Sequence, residues 1–333
     1  MAGVILSLAA AVVPTGLYAW LVWWCDRYER EPGAMLLASF LWGAAPAVLL
    51  SLIAEFVLEW PLSELFSPAS QQVISSSILA PVIEETFKAV ALLGLWLLAS
   101  HEFDGVLDGI VYGALVGFGF GMTENFLYFV NSLAASGWGA WFAVVFIRAL
   151  LFGFNHAFFT SLTGIGLGIA RSHRHRGAQI AAPLMGLAAA IMFHSLHNLG
   201  ITLTTQTCGG LVLSLLADWG GIWVVIAIIT LAWRQERAWV QQYLADEGVP
   251  AEHIEAVRAS RLWDHIPVVS AMLWSGPQRR WQRYHQLLVE LAFRKHQQTR
   301  LGDEQSLQAE IQRLREEIQQ YRETHLGDTR IAA

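Results

Sequence analysis

Charge is what this sequence has least of. Asp, Glu, Lys and Arg make up 14% of its 333 residues, where a soluble protein carries about a quarter. The deficit is uneven: residues 1–233 hold 7 Lys/Arg and 13 Asp/Glu, while residues 234–333 hold 14 of each. The first stretch is thus net −6 and the second neutral, which excludes a single soluble globule and a nucleic-acid binder with a basic face. Cysteine is nearly absent. Cys25 and Cys208 are too few for a disulfide framework or a Cys-rich metal site. The first 25 residues carry no charged side chain, so the basic leader of a secretory signal is missing. We read residues 3–24 as a retained transmembrane helix, since about 20 apolar residues cross the hydrocarbon core.

What remains is a polytopic, all-α membrane bundle with a polar tail. Apolar spans are expected at 3–24, 33–54, 78–99, 105–130, 138–171, 178–204 and 209–233. Residues 1–233 then form a membrane domain and 234–333 a helical cytoplasmic extension. Basic residues occur in two short loops, at Arg27 and Arg30 and at Arg171, Arg174 and Arg176, and again in the tail. The positive-inside rule therefore expects the N-terminus outside and the C-terminus in the cytoplasm. In the tail, Leu307, Ile311, Leu314, Ile318 and Tyr321 form a short heptad seam, better suited to a packed amphipathic helix than to a coiled coil. Gly248-Val-Pro250 and Ser275-Gly-Pro277 divide the tail into helical pieces.

Ionisable groups inside apolar spans are expensive and usually face a partner or a wet cavity. Here they are Glu84, Glu85 and Lys88 in span 3, Glu124 beside Asn125 in span 4, His156 in span 5, His194 and His197 beside Asn198 in span 6, and Asp218 in span 7. The expected topology sets most of them in one layer, roughly 7–15 Å below the outer surface at about 1.5 Å per residue. Two adjacent carboxylates in a poorly hydrated layer resist joint ionisation, which suits a general base. Lys88, four residues after Glu84, can neutralise one of them or serve as a structural counter-ion. Asp108 lies near the inner end and reads as a water-facing residue. Asp218 reads first as a helix–helix hydrogen-bonding residue, and Asn155 and Thr160 as packing. Gly109, Gly113, Gly117 and Gly121 repeat every four residues and let another helix approach closely, leading to Glu124.

The motifs Glu84-Glu85-x-x-Lys88, Phe120-x-x-x-Glu124-Asn125, His156-Ala-x-Phe and His194-x-x-x-Asn198 follow one another on successive spans. In this order they resemble the PrsW family of intramembrane proteases and, more distantly, the CAAX prenyl endopeptidase and bacteriocin-processing superfamily. The loop Asp26-Arg-Tyr-Glu-Arg-Glu-Pro32 fits the same family. Lys88 and Glu124, where the wider superfamily has Arg and His, favour the PrsW branch. The resemblance covers about residues 1–205 and leaves the tail unexplained. It implies a multi-pass protein of the bacterial inner membrane that cuts a membrane-anchored protein near the outer face, in the best-known family role an anti-sigma factor.

On this reading Glu84 or Glu85 is the general base, and His156 and His194 stabilise the oxyanion or hold a metal. Glu124 belongs to the same catalytic group, with Lys88, Asn125, His197 and Asn198 in support. Glu with two His suits a catalytic Zn²⁺, and a metal-free Glu/His water site would use the same residues. No His-Glu-x-x-His, Gly-x-Ser-Gly or Gly-x-Gly-Asp motif is present; His101-Glu102 is followed by Gly at 105. The rival reading is a non-catalytic scaffold or a proton- or ion-coupled transporter, for which repeats and ionisable groups through the full membrane depth are expected.

Overall fold

The computed structural model describes residues 1–25, 31–99, 102–173, 175–204, 207–259, 276–301 and 305–326. Most of the Asp26–Pro32 loop, together with His101, Arg174 and Ser275, lies outside the described residues. Among those described there is no strand. The first helices are α1 (Ala2–Cys25), α2 (Gly33–Trp42) and α3 (Val48–Leu65), the last two joined by a π-helical turn at Gly43–Ala47. A second pair, α4 (Pro68–Ile74) and α5 (Ala80–Leu98), is joined by a π turn at Ser75–Leu79. Ser67 caps α4 by accepting from the Ser70 N–H, with Pro68 in the first helical position where its missing donor costs nothing.

Next come α6 (Val106–Val145), α7 (Asn155–Ser172), α8 (Arg176–Leu203) and α9 (Cys208–Asp246). Asp108 caps α6 by accepting from the backbone N–H groups of Asp104 and Gly105, so its end-of-helix reading holds. At 40 residues α6 is about 60 Å long, twice the hydrocarbon thickness. It bends at Gly137, whose φ of 78° is open to glycine and strained for other residues. After a π turn at Phe146–Leu151 the chain breaks helix at Phe152–Phe154, and α7 begins one residue before His156.

Among the described residues, five helical runs are long and apolar enough to cross a membrane, against the seven spans expected. Two differences account for this. The run Val106–Ser172 is one of 67 residues containing the expected spans 4 and 5. Helix α5, the expected span 3, is absent from the five and carries Glu84, Glu85 and Lys88 within 19 residues. Apolar side chains point outward along the runs, as in Phe56 (80% exposed) and Trp60 (74% exposed), consistent with a lipid-facing surface.

One compact unit reaches from the N-terminus to Ile229, and its centre is α6. The glycine ladder on α6 seats α7 against it. A Cβ at Gly109 would lie 2.1 Å from the Gly164 carbonyl oxygen, and one at Gly117 would lie 2.2 Å from that of His156. Both contacts are to backbone, which cannot yield, so the helix–helix separation that positions His156 requires glycine at these positions. On another side of α6, Tyr112 donates to the carboxylate of Glu31, and both are buried.

A second unit begins at Thr230. Its helices include α10 (Ala251–Ala259), α11 (Gly276–Leu301) and α12 (Gln305–Tyr321), with Gly248 at φ 70° breaking the chain ahead of α10. The seam residues Leu307, Ile311 and Leu314 pack against Leu287 and Leu291 of α11, so α12 buries its apolar stripe within the same chain. Glu247 receives both Lys295 (2.5 Å) and Arg315 (2.6 Å). The Arg315 hydrogen bond leads in holding this carboxyl down to about 2.

His285 and His253 lie beside Trp281, with the two imidazole centroids 5.9 Å apart. Burial lowers His253, and burial together with the His253 charge pushes His285 down to about 4. Both imidazoles thus bind protons more weakly in the folded unit, and below pH 6.5 they are less protonated there than in the unfolded chain. Their stabilisation is present above pH 6.5, the ordinary histidine value, and is lost as pH falls towards 4. Acidification from pH 7 to 4.5 is expected to loosen this unit by on the order of 2 kcal/mol. Hydrogen exchange over residues 276–326 of the full chain measures it; unchanged protection at pH 4.5 would refute the expectation.

Candidate active site

Four helices bring the intramembrane ionisable groups together. Glu84, Glu85 and Lys88 come from α5, Glu124 and Asn125 from α6, Asn155 and His156 from the first turn of α7, and His194, His197 and Asn198 from α8. Lys88 is completely buried. Its ammonium lies 2.8 Å from Glu85 Oε1, 3.3 Å from Glu84 Oε2 and 3.1 Å from His156 Nδ1. The sequence spacing pairs it with Glu84; the structure adds Glu85, at the shorter distance. The Phe120 ring lies beneath the same ammonium, 3.8 Å from centroid to Nζ.

The two carboxylates differ in what they face. Glu84 lines a cleft of about 660 Å³, whereas Glu85 is absent from its walls and only 1% exposed. Glu85 instead holds other groups: one oxygen lies 2.9 Å from His194 Nδ1, and the other accepts from the Thr160 hydroxyl at 3.1 Å. Glu124 does the same for His156, 2.7 Å from its Nε2, and is itself held by Arg148 at 2.6 Å. Arg148 also donates to Asn125 Oδ1 and lies over the Tyr128 ring. Each imidazole thus has a carboxylate on one ring nitrogen, which fixes its orientation.

Glu84, His156 and His194 each offer a donor atom, and these lie within 4.8 Å of one another. The set fits a divalent metal by its chemistry. One carboxylate and two imidazoles, each imidazole backed by a second carboxylate, make the ligand type and outer shell of a catalytic zinc site. The Lys88 ammonium supplies the positive charge among these donors in the structure.

The remaining expected residues lie further along the same cleft. His197 lines it and has Asp218 Oδ2 at 2.7 Å from Nδ1. Asn198 donates to the Ser76 carbonyl and so ties α8 to the π turn ahead of α5. Asn125 serves Arg148 and is not a wall residue of the cleft. Sequence reading missed several residues in and behind the cleft. Glu55 and Glu59 fall beyond the expected end of span 2 at 54, but α3 continues to Leu65 and carries both into the cleft wall. Thr160 read as packing, although its position four residues after His156 sets both on one face of α7. Arg148, within the expected span 5, pairs with Glu124 of α6, a contact that residue spacing does not indicate.

A sequence profile described as "PrsW family intramembrane metalloprotease" matches residues 31–234. Three proteins named Protease PrsW are similar. That of Clostridioides difficile (strain 630) is 33% identical over 103 residues, covering 31% of this chain and 42% of the relative. That of Geobacillus kaustophilus (strain HTA426) is 34% identical over 148 residues, covering 44% and 58%. That of Bacillus subtilis (strain 168) is 30% identical over 177 residues, covering 53% and 74%. The chain thus spans about half the length of the first two relatives. No solved structure matches it.

Proposed function

The chain belongs to the PrsW family of intramembrane metalloproteases, and on that premise we propose that it hydrolyses a peptide bond of a membrane-anchored protein substrate near the outer face of the membrane. One observation carries this reading. Glu84, His156 and His194, from three different helices, converge on one cleft of about 660 Å³. Glu84 is the carboxylate that accepts the proton of the attacking water, because of the adjacent pair it alone lines the cleft. Glu85 keeps His194 oriented, and Glu124, braced by Arg148, keeps His156 oriented. Arg148 and the two imidazoles are the donors available to a developing oxyanion.

In place of that donor role, His156 and His194 would hold a zinc ion, with Glu84 left as the base beside it. A zinc ion bound there supplies Lewis acidity and a water that ionises near neutral pH. The N-terminus is outside and the C-terminus cytoplasmic, as the basic loops require. A transporter would spread ionisable groups through the membrane depth. Here the buried ones of α5 to α8 are linked at one cleft, which favours the hydrolase.

The test uses the full purified chain in liposomes loaded with single-span membrane proteins from its own host. Cleavage of at least one of them is expected, with the cut site located by mass spectrometry. Chelation is expected to abolish cutting and zinc to restore it, with about one zinc per chain by elemental analysis. No cleavage at any metal loading would overturn the hydrolase reading. Full cleavage by a chelated, metal-free chain would overturn the zinc assignment alone.

A further inference from the structure

We propose that His197 is a catalytic residue of this hydrolysis, held by Asp218 as a positioning residue, and that it gives the departing nitrogen its proton. The inference rests on the peptide-hydrolase reading above.

Asp218 is 1% exposed on α9. Its Oδ2 lies 2.7 Å from His197 Nδ1 but out of line with the ring N–H direction, and among the described residues no hydrogen bond reaches either carboxylate oxygen. A carboxylate kept to join helices would be hydrogen-bonded across them, since an unsatisfied buried acceptor costs about 1–3 kcal/mol. That linkage is already made one turn earlier, where the Ser214 hydroxyl donates to the His197 carbonyl at 2.8 Å. The packing reading therefore leaves Asp218 unexplained. Its carboxylate is directed at one imidazole.

That imidazole is fixed in place. Phe152 meets it edge-on, with centroids 4.8 Å apart, and Phe159 lies between it and His194. With Nδ1 turned to Asp218, the opposite nitrogen Nε2 lies 3.5 Å from Asn155 Nδ2, and both residues line the cleft. The arrangement is an Asp–His pair opening on the cleft, separate from the Glu85–His194 and Glu124–His156 pairs.

Amide hydrolysis needs such a group. Water oxygen bonds to the carbonyl carbon while Glu84 accepts the water proton. The C–N bond then breaks, its electron pair leaves with nitrogen, and His197 Nε2 gives that nitrogen a proton. His197 is left neutral with Nδ1–H towards Asp218, and the proton on Glu84 returns the site to its starting state through cleft water. The products are a carboxylic acid and an amine, with water consumed.

An amine is a poor leaving group without a proton, whereas an alcohol leaves far more readily. The test compares two synthetic single-span peptides containing the bond that the wild-type chain cuts, one with the native amide and one with an ester oxygen replacing the scissile N–H. Asp218→Asn and His197→Gln, in the full chain in liposomes, are expected to slow amide cleavage by about 100-fold or more, with ester cleavage within about threefold of wild type. Retained ester turnover also certifies the fold. Equal losses on both substrates, or no loss on the amide, would overturn the assignment. If Asp218→Asn does not fold, His197→Gln alone decides by the same comparison. Failure to find any bond that the wild-type chain cuts, so that no such peptide can be designed, would instead overturn the hydrolase reading.

Discussion

Glu84→Gln is expected to lower peptide cleavage by about 10³-fold, within the range contributed by a positioned general base, while the chain stays folded. Gln is nearly isosteric, and its side-chain carbonyl can still accept from the Lys88 ammonium that lies 3.3 Å from Glu84. What it cannot do is take a proton from water. Glu85→Gln gives a different result. Glu85 touches Lys88, His194 and Thr160 and does not face the cleft. Its loss leaves the ammonium with weaker partners and frees the His194 ring, so both stability and turnover fall. Initial rates in liposomes, with melting temperatures of the same preparations, separate the two. A fully active Glu84→Gln variant, or a Glu85→Gln variant that loses rate with no loss of stability, would refute this division of labour.

The second large effect is expected at Lys88. Lys88→Met removes the cation that faces Glu84 and Glu85 and leaves two adjacent carboxylates buried. Deleting one partner of a buried ion pair typically costs about 3–5 kcal/mol, because the charge left behind is neither solvated nor paired. The variant should fold poorly in detergent and accumulate little in membranes. Combining Lys88→Met with Glu85→Gln removes one charge of each sign and is expected to recover more than half of the lost stability. Thermal unfolding of wild type, the two single variants and the double variant measures the coupling. A Lys88→Met chain as stable as wild type would mean that the ammonium is not the counter-ion of this pair.

Much of the site was legible because a membrane makes misplaced charge conspicuous. Glu84, Glu85, Glu124, His156, His194 and His197 stand out against apolar surroundings, and counting residues from helix ends sets them at a common depth. The glycine ladder on α6 was legible for the same kind of reason: a period of four marks one helix face. Depth, however, carries no information on azimuth. Spacing therefore could not separate Glu84 from Glu85, nor tell that Arg148 turns in to Glu124, nor that Thr160 supports Glu85. Glu55 and Glu59 were hidden by a boundary error, since a carboxylate near a helix end is indistinguishable by hydropathy from one beyond it.

The sequence by itself determined the all-α membrane architecture, the family motifs and most of the members of the polar cluster, because apolar run length, residue spacing and the cost of intramembrane charge are properties of the chain alone. Only the tertiary structure decided the contacts within that cluster. The fold turned Glu84 to the cleft and Glu85 away from it, set a carboxylate behind each imidazole, and brought Asp218 of α9 to His197 of α8. These are choices of rotation and contact between helices far apart in the chain. They are fixed by packing across glycine faces and by pairing of buried charge, which no local pattern encodes.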